Sequence, residues 1–282
     1  MKATRKSKTW ILSSVFVLFV VLFAVAVAIL IWQRDVLYKN IVVIENGFKK
    51  YNLQIHLAEK VRQINNFSKN QVVIDSLQEY EKTGEISDEN LKLIDAEFKE
   101  FGWVGSSLLN KNGVVVDSAF KEEVGLDYSS YTPDEIGDNP FFLVYYDQFL
   151  RQDILEIVDP VIIDGKMIGA VSADVDLVWL KGFAMSPTEY QSKFPLETYI
   201  IDDTGLFLTP SKYISADLGG GLLAQRAKDE ILQKCSELLN ESDSENKSSN
   251  DVIQYVNYLG DNAIGAISSI PEANWCLITE YK

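Results

Sequence analysis

The apolar positions of this chain change rhythm twice, and each change marks a new kind of element. Trp10–Trp32 (WILSSVFVLFVVLFAVAVAILIW) is 23 residues without a charge. A helix of that length, rising about 1.5 Å per residue, reaches roughly 34 Å and crosses a hydrocarbon core of about 30 Å. A Trp stands at each end of it, where an amphipathic ring favours the headgroup level. The tail before it, 1–9, carries Lys2, Arg5, Lys6 and Lys8 and no acid. The positive-inside tendency therefore predicts a cytoplasmic N-terminus, one span of the cell membrane, and the bulk of the chain outside the cytoplasm. A cleaved signal peptide is the competing reading, because Ala24, Ala26 and Ala28 give cleavage-like spacing. Against it, the apolar run continues through Ile29, Leu30, Ile31 and Trp32. A buried core helix is the third reading, and such helices rarely stay charge-free for more than about 18 residues.

After the span the rhythm becomes helical. Leu37, Ile41, Ile44, Phe48, Tyr51, Ile55 and Ala58 recur at alternating steps of four and three, an a/d stripe of about three heptads. Such a stripe packs on the protein's own sheet or on a second copy of the same helix, and both readings stay open. A second helical segment covers Lys69–Lys82 and stops at Thr83–Gly84. Ser87 then reads as an N-cap, with Asp88 and Glu89 suited to a first turn. Leu91, Ile94, Phe98 and Phe101 form the apolar face of that third helix, and Gly102 ends it.

From Trp103 the rhythm shortens to that of strands. Trp103–Leu109 and Val114–Ser118 flank a turn ending in Asn112-Gly113. Residues 121–140 are broken by Pro133, Gly137 and Pro140. Phe141–Tyr146 reads as a strand or short helix and Ile154–Val158 as a strand. Pro160–Ile163 and Met167–Val175 read as a hairpin around Asp164-Gly165-Lys166. The plan then recurs. SLLNKNGVVVDS at 107–118 matches TYIIDDTGLFLT at 198–209, and IGAVS at 168–172 matches IGAIS at 264–268. The ordered pair predicts two similar α+β units, each with a central antiparallel sheet. Between the matched pieces of the second unit lie a glycine turn (219–221), an amphipathic helix Leu222–Leu239 and a polar tract at 241–251.

Charge narrows the partners. The formal charge is −15, and setting aside the four bases of the tail leaves −19 for the rest. Nucleic acid, which selects basic patches, is not an expected partner, and anionic lipid would repel the outer part. His56 is the only histidine. No zinc-spaced Cys/His cluster, P-loop, EF-hand loop or G-x-S-x-G is present, so no cofactor, metal or catalytic residue is expected. Cys235 falls on the apolar side of a helix and Cys276 in an apolar strand. Outside the cytoplasm they could form one disulfide or stay as two buried thiols.

The order of elements resembles the double Cache (dCache) extracytoplasmic sensor domain of bacterial transmembrane receptors. VGSSLLNKNGVVVDS resembles the first unit's central hairpin. DPVIIDGKMIGAVSADVDLVWL carries the family's stretch with Pro160, Gly165, Gly169, Asp174 and Leu177 in place. TYIIDDTGLFLTP and NYLGDNAIGAISSIPEANWCLITE resemble the opening and closing strands of the second unit. The resemblance implies a stalk over 33–84, a membrane-distal PAS-like unit over 85–182 and a membrane-proximal one over 183–282. It also implies a non-enzymatic receptor with a small ligand in the distal unit and a cytoplasmic output domain or partner outside this chain.

Amino-acid-binding members carry an Arg-x-Trp-Tyr-like cluster, a later Tyr-x-Asp, and the Asp that Asp174 matches. Here the first cluster reads Asn139-Pro140-Phe141-Phe142, without the Arg or the Trp, and the second pattern is Tyr145-Tyr146-Asp147. Phe142, Tyr145, Tyr146, Asp147 and Asp174 remain as candidates. Rings and carboxylates together suit a cationic or amine ligand. The alternative is a membrane-anchored protein-interaction module with no small ligand.

Overall fold

The computed structural model describes residues 4–128, 140–147, 150–185, 194–210, 212–213, 225–241 and 251–282. Asn139, the glycine turn at 219–221 and most of the polar tract at 241–251 lie outside them. The fold is α+β, with one long N-terminal helix and two antiparallel sheets. Helix α1, Thr4–Ser68, is a single 65-residue element. Residues 16–34 of it are exposed along their whole length. It is the one helix among the described residues long and apolar enough to cross a membrane.

Helices α2 (Gln71–Thr83) and α3 (Asp88–Phe101) follow. Asn70 caps α2, its side-chain oxygen accepting from the Val72 amide at 3.0 Å. Gly84 (φ 80°) and Gly102 (φ 66°) take the left-handed conformation that closes a helix without a Cβ penalty. Ser87 stands at the N-terminus of α3 as the sequence predicts, but its hydroxyl donates to Glu79 at 3.1 Å and makes no capping bond.

The distal sheet has the order β2-β1-β5-β4-β3, from β1 (Gly105–Asn110), β2 (Val115–Ser118), β3 (Phe141–Asp147), β4 (Gln152–Ile163) and β5 (Lys166–Asp176). Pro160 lies inside β4, past Val158, the last β4 residue paired with β3. That edge of β4 has no strand partner there among the described residues, so the missing proline N–H breaks none of the described ladder bonds. Helix α4 (Val178–Met185) leads to the proximal sheet. Its order is β6-β9-β8-β7, from β6 (Leu196–Asp202), β7 (Asp251–Val256), β8 (Asn262–Ile270) and β9 (Trp275–Tyr281). Helix α5 (Asp229–Glu241) covers one face of it and is joined to β9 by the Cys235–Cys276 disulfide. It starts later than the apolar pattern predicts. Gln225 and Ala227 are held instead as an extended segment by the Phe207 amide to the Gln225 carbonyl (3.0 Å) and the Ala227 amide to the Gly205 carbonyl (2.8 Å).

The sheet orders correct the internal repeat. The 107–118 and 198–209 hairpins do open equivalent positions, at β1 and β6. IGAVS lies on β5, the closing strand of its unit, whereas IGAIS lies on β8, the strand before the closing one. The equivalent of β5 is β9. The two runs match because both are buried central strands whose short residues meet close neighbours.

Of the two readings of the α1 stripe, packing on the protein's own sheets is not what the structure shows. Leu37, Ile44, Phe48, Tyr51 and Ile55 are exposed, Phe48 at 57% and Tyr51 at 65%, and of the large stripe residues only Ile41 is buried. The face that packs inward is roughly opposite: Val42, then the polar Glu45, Asn46 and Lys49, then Leu53, Leu57, Ile64 and Phe67. Asn46 and Lys49 are buried on partners from the proximal sheet and from α4. Asn46 donates to the carbonyls of Ala266 and Leu277, each at 3.0 Å, and accepts from the Ser268 hydroxyl. Lys49 donates to the Phe183 carbonyl at 2.5 Å, its ammonium 5.0 Å from the Phe183 ring centroid. At the far end of α1, Ser68 and Asn65 donate to the buried Asp159 of β4. One core then runs from Leu53–Phe67 through α2, α3 and β4–β5 to Ile200, Trp275 and Leu277 of the proximal sheet.

Asn46→Ala leaves buried groups on β8 and β9 without their partner, and loss of about 2 kcal/mol or more is expected. Asn52→Ala, which removes only an exposed bond within α1, is expected to change stability by less than about 0.5 kcal/mol. Urea unfolding of the two variants checks the difference.

Candidate ligand-binding site

Strand alternation sorts the five sequence candidates. Successive side chains of a strand point to opposite faces, and residues paired across a ladder share one. On β3, Leu143 pairs with Glu156 and Tyr145 with Ile154, while Glu156 of β4 pairs with Asp174 of β5. Tyr145, Asp147, Glu156 and Asp174 therefore share the face of the distal sheet away from the helices. Phe142, Val144 and Tyr146 point the other way. Phe142 packs against Trp275, ring centroids 6.1 Å apart, and lines a cavity of about 650 Å³ with Leu57, Val61, Pro140 and Pro271. Tyr146 is 54% exposed. The structure thus brings Tyr145, Asp147 and Asp174 together and leaves Phe142 and Tyr146 outside the group.

Glu156, Glu123 and Tyr128 join the three, and pattern reasoning missed them. Glu156 had one signal, a lone acid inside the apolar strand ILEIV. Glu123 and Tyr128 had none, because only the fold of the loop after β2 carries them to the sheet. Asp174, Glu123 and Asp147 are buried, and the Glu156 carboxyl is enclosed among them. Glu123 accepts from Ser118 at 2.7 Å and from Ser107 at 3.1 Å. Glu156 accepts from the Ser172 hydroxyl and from Tyr145. Asp147 accepts from the Leu150 amide at 2.7 Å.

Asp174 differs from the other three. It is 6% exposed, and its Oδ1 has no hydrogen-bond partner among the described residues. Room for its carboxylate is made by Gly105, directly opposite on β1. A Cβ there would collide with the Asp174 carboxylate and the Phe120 ring.

The electrostatics follow from four acids in one enclosed place. Burial pushes the Asp174 carboxyl well above the usual carboxylate range, and Glu156, Glu123 and Asp147 push it further. Burial raises Glu156 as well, against the lowering effect of the Ser172 bond, and the Glu123 charge adds to the rise. The Tyr128 hydroxyl is pushed up to about 12 and Tyr145 higher still, first by burial and then by the same acids. No Lys or Arg occurs in 122–150 or 152–165, the segments that build this face beside β1 and β5. A group of acids with no cation is stable in two ways: with protons on some carboxyls, or with a cation among them.

Most of the chain is similar in fold to several solved sensor domains. One is the ligand-binding domain of the Campylobacter jejuni chemoreceptor Tlp3 in complex with 4-methylisoleucine. Its TM-score is 0.58 at 12% identity, over 86% of this chain and 90% of that one. Another is the ligand-binding domain of the Pseudomonas aeruginosa amino acid chemoreceptor PctC in complex with GABA. Its TM-score is 0.55 at 13% identity, over 86% of this chain and 99% of that one. A third is the sensor domain of the V. cholerae histidine kinase DctB, with a TM-score of 0.54 at 12% identity, over 85% and 96%. No protein-family model matches the sequence, and no curated protein matches it.

Because Asp174 and Glu156 hold protons more tightly when folded, protonation favours the folded, unliganded chain. That contribution is complete below the ordinary values of 3.8 and 4.5 and is lost as pH rises through the raised folded values. The unliganded chain is therefore expected to melt higher at pH 5 than at pH 7.5. Asp174→Asn is expected to raise the melting temperature at pH 7.5 by about 2 °C or more and to flatten its pH dependence. Differential scanning calorimetry across that range checks both.

Proposed function

We propose that this chain, built on the double Cache sensor fold, is the extracytoplasmic sensing part of a transmembrane receptor, and that its distal unit binds a small cationic or amine ligand. The observation that carries the reading is the buried Asp174 carboxylate, with one oxygen unpartnered among the described residues and three further acids around it; the neighbouring bases are engaged or turned outward, Lys121 on Asp117 and Arg151 exposed in the turn between β3 and β4. An ammonium entering there gains charge-assisted hydrogen bonds from Asp174 and Glu156, and Tyr145 and Tyr128 offer ring faces. The solved relatives complexed with GABA and 4-methylisoleucine hold ligands with both an ammonium and a carboxylate. This face has the chemistry for the first group and no cation for the second. A ligand with positive charge and no carboxylate fits it best.

In this reading the basic tail lies in the cytoplasm, α1 crosses the membrane near Trp10–Trp32, and both sheets lie outside. The exposed heptad stripe from Leu37 to Ile55 packs against the same stripe of a second copy. The spacing suits a parallel helix pair, and two copies anchored by the same span are held parallel. Ligand capture shifts the distal sheet, and α1 passes the shift to the span by a small rotation or translation.

A melting-temperature screen against alkylamines, polyamines, amino acids and organic acids tests the site. Amines are expected to stabilise the native chain, and Asp174→Asn to abolish the response. Stabilisation by organic acids alone, or an unchanged response in Asp174→Asn, would sink this assignment. For the helix pair, cysteines at Phe48 and Tyr51 are expected to crosslink between copies, whereas a cysteine at the buried Leu53 is not. Gel analysis after mild oxidation reads the outcome.

A further inference from the structure

The proximal sheet carries its own acidic pocket, and here a cation already sits in it. Strand β9 is the positional equivalent of β5, and Glu280 on β9 stands where Asp174 stands on β5. Asp174 faces a glycine on one neighbour (Gly105, β1) and an acid on the other (Glu156, β4). Glu280 faces an acid on one neighbour (Glu197, β6) and a glycine on the other (Gly265, β8). Gly265 makes room for a ring. A Cβ there would lie 2.7 Å from Cε1 of Tyr255, whose hydroxyl donates to Glu280 at 2.5 Å. Asn257 donates to the other Glu280 oxygen at 2.8 Å, and Tyr258 donates to Glu197 at 2.6 Å. Both carboxylates are buried.

Into this group reaches Lys282, two residues after Glu280 and so on the same face. Its ammonium lies 3.6 Å from Glu197 Oε2 and 3.9 Å from Glu280 Oε1. It sits 3.5 Å from the Tyr213 ring centroid and 5.4 Å from that of Tyr258. Two rings and two carboxylates make a cage for a cation. Yet the Lys282 Nζ is buried and makes no hydrogen bond among the described residues. Its own tether to β9 keeps it beyond the 2.7–2.9 Å usual for an ammonium on a carboxylate.

We propose that the Glu197–Glu280 pocket of the proximal unit is a primary-ammonium site, occupied in this conformation by the side chain of Lys282. A small alkylammonium free of the backbone can approach both carboxylates more closely than Lys282 does. Lys282 is thus a built-in occupant that an external amine must replace. This site is separate from the distal one, and the proposal stands whether or not the distal reading does.

Chemical rescue tests it, in the full chain in detergent with Asp174→Asn present throughout and Lys282 intact in the control. Lys282→Ala is expected to lower the melting temperature, and saturating n-propylammonium to restore it by about 5 °C more than it shifts the control. Propan-1-ol and sodium chloride at equal concentration are expected to give no such rise, and adding Glu280→Gln to remove it. Lys282→Met, one atom shorter, keeps the aliphatic packing and vacates only the Nζ position. It is expected to respond to methylammonium, and it serves if the alanine variant does not fold. An amine response equal to that of the control, or an equal rise with propan-1-ol, overturns the proposal.

Discussion

One helix belongs to two cores at once, and the rest of the architecture depends on that. The inward face of α1 packs on the proximal sheet through Asn46, on α4 through Lys49, and enters the distal core from Leu53 to Phe67. Neither sheet can shift along the helix axis without breaking something specific. At the proximal end the cost is the pair of bonds from Asn46 to strands β8 and β9. At the distal end it is the carboxylate of Asp159 on Ser68 and Asn65. Apolar packing alone would slide, since it is non-directional. Polar contacts at both ends fix the register, in the way a buried polar residue fixes the register of a coiled coil. The same helix continues without a break into its charge-free segment. A movement at either sheet is therefore delivered to one rigid rod.

Much of this fold was legible in the sequence, because several signals are local. Twenty-three residues without charge, glycines after helices, and alternating runs around Asn-Gly and Asp-Gly turns each act within a few residues. The signals that failed were those whose meaning depends on a distant partner. Nothing in the pattern marks Glu45, Asn46 and Lys49 as a packing face, because residue types alone cannot show that two strands more than 200 positions away offer carbonyls to Asn46. For the same reason the pattern leaves open whether the apolar stripe beside them meets the protein's own sheet or a second copy. The pattern of 141–146 is open between strand and helix, so it groups Tyr145 with Tyr146, which a strand sends to opposite faces. IGAVS and IGAIS were equated by composition, and only the hydrogen-bond order places them on different strands. At the candidate site Asp174 and Tyr145 could be named in advance. Glu123 could not, since a loop with no regular pattern carries it.

The distal face is costly as it stands. Four carboxylates share a space that burial has stripped of water, and one oxygen has no partner among the described residues. A domain selected for stability alone would place serines or amides there, as β1 and β5 already do at Ser107 and Ser172. Cost of this kind concentrates where a protein must respond to something outside itself. The glycine opposite Asp174 supports that view. It holds open a volume that any side chain would close, and it does so beside the least satisfied group on the sheet.

The exchange of glycine and acid between the two units has its own consequence. In the distal unit the second carboxylate stands on β4, toward the β3 edge; in the proximal unit it stands on β6, at the opposite edge of that sheet. The acid paired directly across the ladder therefore lies on opposite sides of the equivalent strand in the two halves. A solute that enters one half polar end first would have to turn around to enter the other. The two halves of the repeated scaffold are therefore not interchangeable in where they hold their second acid.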